Sequence, residues 1–525
     1  VSFRSDVTPG DRGHITVTKF AVSGSTHNLW EHAELRRSND EDETDVRVPL
    51  PQSVRPGDSL DLEMAWESKL PSVVARTGYA GSFHMVGQWF PKLARLEPDG
   101  HWAHFPFHKL AEFYADYGNY DVTLDVPEGF VVGATGVLVD SSRSAGRQQL
   151  RYVQGDVHDF AWTAWDRFLT TTETIHGVAV TVLHPSGTGF LVARELRALR
   201  FALPYFSSLF GPYPYATLTV VHPPVGAQEA GGMEYPTLIT TGTSWYESWV
   251  TRNVEHVTVH ELGHQWFYGI VGSDETRWPV LDEGITEYAT QRALRSWLGP
   301  SSALSVGAFQ VDLSSVEAGW SHRLVHDQPV GQPAHAFDSS AALSALVYGR
   351  TAVVLETLAR VYGEELFDRV LGGFARAQRF RHPCLEDLFQ AVGRGLGVRA
   401  ERVLRTALME KGWVDYVATS LSTGGPKDGW VLLNRRGTLS FPVDIELRYA
   451  DGSREERVWD GELESTRLAT RPSLVAVVID PHEKVLLDAD RTNNHVTHLG
   501  WGGGAPRTLE RALYWAALLV QAVTP

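Results

Sequence analysis

Apolar and polar residues alternate along several stretches in the first third of the chain. Residues 45–50 read DVRVPL and residues 121–126 read DVTLDV, and a period of two is typical of strands with one buried face. Short clusters of Pro, Gly and an acidic residue separate the runs, as at residues 56–58 and 127–129, and such clusters favour turns. We therefore predict an antiparallel β domain over residues 1–170.

The spacing of apolar residues becomes helical further along the chain. Residues 191–210 follow this period and end at Gly211-Pro212, and two strand-like runs come next, at residues 218–221 and 237–240. A helical period dominates again from Glu283 to about residue 415. Together these patterns predict an α/β domain over residues 171–420.

The last part of the chain returns to strand-like alternation. Residues 424–495 contain runs rich in Val, Ile and Leu, joined by turns at residues 450–452 and 459–461, which favours a small β-sandwich. Residues 496–525 contain a Gly-rich link and then an apolar stretch, which we expect to be a linker and a C-terminal helical segment. The fold class predicted for the whole chain is α+β and multidomain.

Composition narrows the classes of function. The net charge of −16 argues against nucleic acid as a partner, because phosphate binding needs a basic face. A single cysteine, Cys384, excludes an internal disulfide and is compatible with either redox compartment. The sequence shows no run of eighteen apolar residues and starts at Val1. Location stays open, with an extracytoplasmic or membrane-associated place favoured over a cytoplasmic one.

Two histidines four positions apart suggest a metal site. His260 and His264 would share one face of a helix, which we expect to start after a cap at Asn253 and to run toward Gly269. Two imidazoles so placed can bind one zinc ion, which prefers tetrahedral nitrogen and oxygen ligands. Glu283 follows His264 by nineteen positions and is the candidate third ligand.

Four stretches, taken together, resemble the aminopeptidase N family of gluzincin zinc metallopeptidases. They are GGMEY at 231–235, HELGHQWFYG at 260–269, WPVLDEGITEY at 278–288 and YGRTA at 348–352. The resemblance implies an N-terminal β domain, a thermolysin-like catalytic domain and a β-sandwich. Two features depart from the family: Tyr235 stands where its motif usually has Asn, and no Gln or Glu of the β domain, Gln88 included, matches the one that lies beside the substrate amine.

The resemblance also implies roles for single residues. His260, His264 and Glu283 would hold one Zn²⁺ per chain, and Glu261 would act as the general base toward a zinc-activated water. Tyr348 would donate a hydrogen bond to the developing oxyanion. The substrate-binding residues would be those of the exopeptidase motif: Gly231, Gly232, Met233 and Glu234. Glu287 is either a partner of a ligand histidine or a solvated helix residue.

The predicted function is therefore a zinc aminopeptidase that hydrolyses the N-terminal peptide bond. Glu234 would pair with the α-ammonium group of the substrate, whose pKa lies near ~8. Two alternatives stay open: an endopeptidase on the same zinc core, and a non-catalytic module that binds peptides. The expected partners are peptides with a free N-terminus and not nucleic acid. A longer parent chain could associate with a membrane, and the oligomeric state stays open.

Overall fold

The computed structural model describes residues 11–38, 40, 42–242, 250–306, 309–324, 328–422 and 429–497, with the backbone alone for 320–324. The first part of the chain is built from antiparallel strands, as the alternation predicts. They are β1 His14–Val22, β2 Glu34–Leu35, β3 Val46–Arg47, β4 Leu62–Lys69, β5 Gly78–Ala80, β6 Phe83–Val86, β7 Arg95–Leu96, β8 Trp102–Ala103, β9 Gly118–Pro127, β10 Val131–Ala134, β11 Val137–Ser144, β12 Arg147–Val157 and β13 Trp162–Trp165.

The next unit is a mixed sheet with a long helix against it. Its strands are ordered β14-β15-β16-β17, with β14 antiparallel and the others parallel. The elements are β14 Leu169–Ile175, β15 Val178–His184, α1 Gly189–Phe210, β16 Thr217–Val221, the 3₁₀ turn Gln228–Ala230 and β17 Leu238–Thr240. Helix α1 connects two parallel strands, which need a crossover, and it ends at Gly211 with a φ of 111°. The helix and both strands predicted from the spacing are confirmed.

Helices dominate residues 253–409, as predicted, with one short hairpin, β18-β19, that the sequence did not indicate. The elements are α2 Asn253–Gly263, the π-helical turn Val280–Gly284, α3 Ile285–Leu298, a 3₁₀ turn Gly299–Ser301, β18 Leu304–Val306, β19 Phe309–Val311, α4 Leu313–Leu324, a 3₁₀ turn Ala334–Ala336, α5 Ser340–Leu343, the π-helical run Ser344–Arg350, α6 Thr351–Tyr362, α7 Glu364–Ala377, α8 Leu385–Leu396 and α9 Val398–Met409.

One continuous helical stretch, Ser340–Tyr362, is long and apolar enough to cross a membrane by length and composition. In its most apolar window, 78% of the residues are buried inside the fold. Val353, Val354 and Leu358 are all fully buried there. The stretch therefore serves as a core helix in this fold.

The last described part of the chain forms two antiparallel sheets, ordered β20-β21-β24 and β23-β22-β25-β26. Their members are β20 Val414–Ser422, β21 Gly429–Gly437, β22 Val443–Tyr449, β23 Arg454–Trp459, β24 Ser465–Thr470, β25 Leu474–Ile479, the 3₁₀ turn Arg491–Asn493 and β26 His495–Thr497. Strand β20 starts ten positions before residue 424, where the sequence pattern placed the start of the β-sandwich. The predicted Gly-rich link and terminal helix at 498–525 lie outside the described residues.

Two buried clusters explain how the parts are held together. The larger one runs from α1 and α2 through the helices into the C-terminal sheets, and includes Trp266, Phe367 and Ile445. The second joins the N-terminal strands to the mixed sheet, with Phe83 and Tyr235 both buried in it. The second cluster fixes the N-terminal strands beside the stretch 231–235. The mixed α+β architecture with a β-rich N-terminal region is confirmed, and the domain limits stay predictions.

Candidate metal centre and substrate cavity

Helix α2 carries His260, and His264 follows directly as its C-cap residue. The helix begins at Asn253, one position earlier than a capping role for Asn253 requires, because Arg252 is the N-cap; Glu255 of the first turn pairs with Arg194 at 2.5 Å. The helix ends at Gly263 rather than near Gly269. The reason is local: the chain turns back through Tyr268 with a φ of 108°, which helical backbone does not allow.

The structure brings the three predicted ligand atoms together at the end of α2. Nε2 of His260, Nε2 of His264 and Oε2 of Glu283 lie 3.1 Å from one another in all three pairs. Ligand atoms about 2.0 Å from a tetrahedral metal are about 3.3 Å apart. The residue types and the spacing therefore fit a tetrahedral site with one position left open.

A π-helical turn presents the third ligand. Glu283 lies on the turn Val280–Gly284, directly before α3. The backbone at Gly284 approaches the next helix so closely that a Cβ would lie 2.6 Å from Cγ2 of Thr351. Glycine is therefore required there if Glu283 is to keep its position.

Buried carboxylates orient the two histidines. Nδ1 of His264 donates to Oδ1 of Asp282 at 2.6 Å, and Nδ1 of His260 lies 3.1 Å from Oε2 of Glu287. The other oxygen of Glu287 accepts from Nε2 of His256 at 3.1 Å. Glu287 is therefore a partner of a ligand histidine and not a solvated residue. These contacts leave the Nε2 atoms of both histidines facing Glu283, as metal binding requires.

The charges around the three ligand atoms favour a cation. Burial alone would lower the pKa of His260, but hydrogen bonds to Glu283 and Glu287 raise it to about 10. Burial would raise the pKa of Glu283, and the neighbouring His264 instead holds it well below its usual range. The negative charge that raises the imidazole pKa values also favours a divalent ion between them.

Glu261 follows the first histidine and faces a cavity of about 210 Å³ that the ligand residues also line. Its carboxylate is 6% exposed, and Oε2 has no hydrogen-bond partner among the described residues. Burial raises its pKa above the usual range, an effect that His260 and His264 partly offset. The group is thus close to the ligand atoms and free to accept a proton.

Tyr348 lies on the π-helical run Ser344–Arg350, over the same cavity. Its ring stacks on the ring of His260, with the centroids 5.8 Å apart and the planes at 19°. Burial and the charge of Glu283 raise the pKa of Tyr348 well above its usual range. The hydroxyl therefore keeps its proton at neutral pH and can donate a hydrogen bond.

The stretch 231–235 reaches the cavity through only two of its residues. Gly232 and Glu234 line the cavity, and a Cβ on Gly232 would lie 3.8 Å from Oε1 of Glu261. Gly231 lies against Thr241, and the fully buried Met233 pairs through its backbone with Thr240. These two predicted substrate-binding residues shape the strand edge but do not line the cavity.

Glu234 is buried, and its Oε1 has no hydrogen-bond partner among the described residues. Burial raises its pKa well above the usual range, although His264 and Arg76 act in the opposite direction. A buried carboxylate without a partner has a strong preference for a cationic ligand.

Tyr235, which replaces the Asn of the family motif, and Gln88, which matches no family residue, both lie away from this cavity. The side chain of Tyr235 fills the space over Gly87, where a Cβ would lie 1.9 Å from its hydroxyl oxygen. Gln88 donates to Oδ2 of Asp159 at 2.5 Å. Tyr235 thus packs against the N-terminal strands, while Gln88 is held by Asp159.

Sequence reasoning missed three charged residues at the closed end of the cavity. Arg76 lines the cavity and forms an ion pair with Glu112. Carboxylate oxygens of Glu112, Glu234 and Glu275 lie within 4.8 Å of one another. The second oxygen of Glu275 accepts from the backbone N–H of Phe113 at 3.1 Å, which fixes the segment that carries Glu112. The local sequence around these residues gave no sign of this contact.

Comparisons with known proteins point to peptidases. A family model described as Peptidase family M1 domain matches residues 194–409. Aminopeptidase 2 of Candida albicans is 24% identical over 315 residues, which cover 56% of this chain and 33% of that protein. Aminopeptidase M1 of Arabidopsis thaliana is 25% identical over 245 residues, which cover 42% of this chain and 27% of that protein.

A solved structure supports the fold. The crystal structure of aminopeptidase A from Legionella pneumophila, in complex with aspartic acid, superposes with a TM-score of 0.67 at 14% identity. The match covers 90% of this chain and 54% of that one. The chain spans about a third of the length of the curated relatives it matches. Residues 194–409 thus match the domain of the M1 peptidase family, which supports the resemblance of this chain to the aminopeptidase N family.

Proposed function

We propose that the protein is a zinc-dependent aminopeptidase that hydrolyses the N-terminal peptide bond of peptides. The observation that carries this proposal is a shared cavity. The three candidate ligand atoms, Glu261 and the unpartnered carboxylate of Glu234 all face one space of about 210 Å³. A carboxylate oxygen of Glu234 lies within 4.8 Å of a ring nitrogen of His264, so one amino-acid residue can reach from Glu234 to the candidate ligand atoms.

In this proposal, His260, His264 and Glu283 hold one zinc ion. Two imidazoles and one carboxylate, with one position open, are a ligand set of catalytic zinc sites. When bound, zinc polarises a carbonyl group and lowers the pKa of a nearby water molecule. Asp282 and Glu287 keep the imidazoles in the orientation that the ion requires.

The proton transfers belong to Glu261. Its free carboxylate oxygen takes a proton from the attacking water and later gives it to the leaving amine. Such transfers typically contribute roughly 10²–10⁴ to the rate. Tyr348 is protonated and stacked beside His260, and donates a hydrogen bond to the carbonyl oxygen as negative charge develops on it.

The closed end of the cavity selects the N-terminus. Glu234 pairs with the α-ammonium group, and Glu112 is the second carboxylate within reach of the same point. Arg76 keeps Glu112 in place through their ion pair. Because the α-ammonium group is fixed there, only the first peptide bond reaches the ligand group.

We also propose a domain division at the limits that the sequence suggested: a β domain at 1–170, a thermolysin-like catalytic domain at 171–420 and a β-sandwich at 424–495. Support comes from the mixed sheet with α1 and from the two C-terminal sheets that share a buried cluster. Strand β20, Val414–Ser422, pairs with β21, so we place it in the sandwich, which then begins before residue 424 and takes residues 414–420 from the catalytic domain.

Chromogenic aminoacyl substrates test the function directly. Turnover should stop when a chelator removes the metal and return when zinc is added. The same substrates with an acetylated α-amine should not be cleaved. Cuts inside a long blocked peptide would instead support an endopeptidase, and a purified protein with no bound metal and no turnover with zinc would support a non-catalytic module.

A further inference from the structure

A second cavity of about 140 Å³ extends the metal cavity. Arg76 and Tyr348 line both spaces. The remaining walls come from residues 107–113 of the N-terminal region and from the start of the stretch 340–348. The two cavities are therefore parts of one cleft, divided by the side chains of Arg76 and Tyr348.

The lining places this second cavity relative to a bound substrate. Glu112 belongs to its wall, and Glu112 lies at the end where the α-ammonium group is bound. Tyr348 belongs to the opposite wall, at the end where the scissile carbonyl lies. The Cα of the first residue lies between these two groups, so its side chain faces the second cavity. His256 and Val257 line the metal cavity and not the second cavity.

Apolar residues form about half of the lining of the second cavity, and polar or charged residues form the rest. Phe107, Leu110, Ala111, Phe113 and Leu343 contribute carbon surface. The charge of Arg76 is balanced by Glu112. An apolar cavity of about 150 Å³ is known to hold a benzene molecule, so this volume suits a side chain of leucine or phenylalanine size.

One uncompensated positive charge stands at the rim. Lys109 lines the cavity and is exposed to solvent. Among the residues that the structure describes, no carboxylate forms an ion pair with it. A cationic side chain that enters the cavity would pass this ammonium group, and like charges at short range repel each other.

We propose that the second cavity receives the side chain of the first substrate residue, that it selects apolar side chains up to the size of phenylalanine, and that Lys109 disfavours Lys and Arg at this position. This inference rests on the proposed aminopeptidase function. It names the class of substrate: peptides whose first residue is uncharged and apolar.

Filling the cavity tests the selectivity. The ratio of kcat/KM for a phenylalanyl p-nitroanilide to that for the alanyl one should exceed one in the unmodified protein. In Ala111→Leu the added carbons occupy the space, and this ratio should fall by about tenfold or more. Ser344→Leu, which fills the cavity from the opposite wall, should lower the ratio in the same way even if the first variant folds poorly.

Reversing the rim charge tests the second part. Lys109→Glu should raise kcat/KM for an arginyl substrate relative to the leucyl one by roughly three- to tenfold, and added salt should reduce this gain. Arg143→Glu makes the same change in net charge on β11, where the side chain is 71% exposed and lines neither cavity. That variant should leave the ratio unchanged.

The outcomes separate the two proposals. If no aminoacyl substrate is turned over with zinc present, the aminopeptidase function itself is wrong. If alanyl, leucyl and phenylalanyl substrates are turned over but both filling variants lower all three equally, the cavity does not receive the first side chain. If Lys109→Glu and Arg143→Glu change the arginyl ratio equally, Lys109 has no specific part in selection.

Discussion

At the scale of single residues, a substitution at Glu261 can separate metal binding from proton transfer. Its carboxylate faces the cavity but is not one of the three atoms that lie 3.1 Å apart. Replacement by Gln keeps the size and removes the ability to accept a proton. Glu261→Gln should therefore retain zinc and lose kcat by roughly 10²–10⁴. Metal analysis and steady-state kinetics check this, and a variant with near-normal kcat would exclude Glu261 as the base.

A substitution at Glu112 tests whether the carboxylates around Glu234 bind the α-ammonium group of the substrate. Glu112→Gln removes one of the carboxylates around the α-ammonium group and leaves Arg76 without its partner. We expect kcat/KM to fall by roughly 10- to 100-fold, because losing a hydrogen bond to a charged group costs about 1.5–3 kcal/mol, and zinc content should not change. A variant with unaltered kcat/KM would place the ammonium group elsewhere.

The spacing of residues on one helix could be read directly from the sequence. His260 and His264 share a helix face because the period of a helix is a local property. Glu112 and Arg76 could not be found in this way, because their place depends on contacts between distant segments. The hydrogen bond from Phe113 to Glu275 joins positions 162 apart, and no local pattern encodes such a pairing.

At the scale of elements, the π-helical turn before α3 leaves no room for a side chain at Gly284. A Cβ at Gly284 would meet Thr351 at 2.6 Å and the carbonyl oxygen of Val347 at 2.8 Å. Gly284→Ala should displace Glu283, weaken zinc binding by about tenfold or more and lower activity. In Gly373→Ala, on α7, the new Cβ meets nothing within 4 Å, and we expect about 0.5–1 kcal/mol of added stability. Equal zinc affinity in the two variants would contradict this account.

Periodicity predicted the helices but not how they end or widen. The end of α2 depends on Tyr268, whose φ of 108° is unusual for a residue with a side chain. The π-helical turns that carry Glu283 and Tyr348 have the same apolar spacing in sequence as ordinary helix. Tertiary packing decides these features, and the helical period therefore located neither residue. Glu283 was found by its spacing after His264, and Tyr348 by the family resemblance.

The turn between β25 and β26 contains a buried acid with a measurable pH signature. Burial raises the pKa of Asp488 to about 7, so the folded state binds its proton more tightly than the unfolded state. Stability therefore declines as pH rises from about 4 to about 7. Asp488→Asn removes this titration, and its free energy of unfolding should rise relative to wild type over that range. Denaturant titrations at several pH values measure the slope, and parallel profiles would refute the assignment.

At the scale of the whole molecule, metal binding should be coupled to folding. The ligands come from α2 and from the turn before α3, which pack together only in the folded state. A ligand that binds only the folded state adds about 2.7 kcal/mol at one hundred times its Kd. A chelator should therefore lower the Tm of the protein but not that of His264→Ala. Equal shifts in both would mean that the stabilising metal lies elsewhere.

The cleft is a product of two regions of the chain. Connecting segments of the N-terminal region supply Arg76, Glu112 and part of the second cavity, while the helical region supplies the ligands, Glu261 and Tyr348. The cleft gives no information on where the protein is located or on whether a longer parent chain associates with a membrane, so both stay predictions.

The contact between Phe113 and Glu275 gives this division a practical meaning. Breaking this hydrogen bond would loosen the segment that bears Glu112 without touching His260, His264 or Glu283. Under the proposed function, recognition of the peptide terminus could therefore be lost while the metal site and Glu261 stay intact.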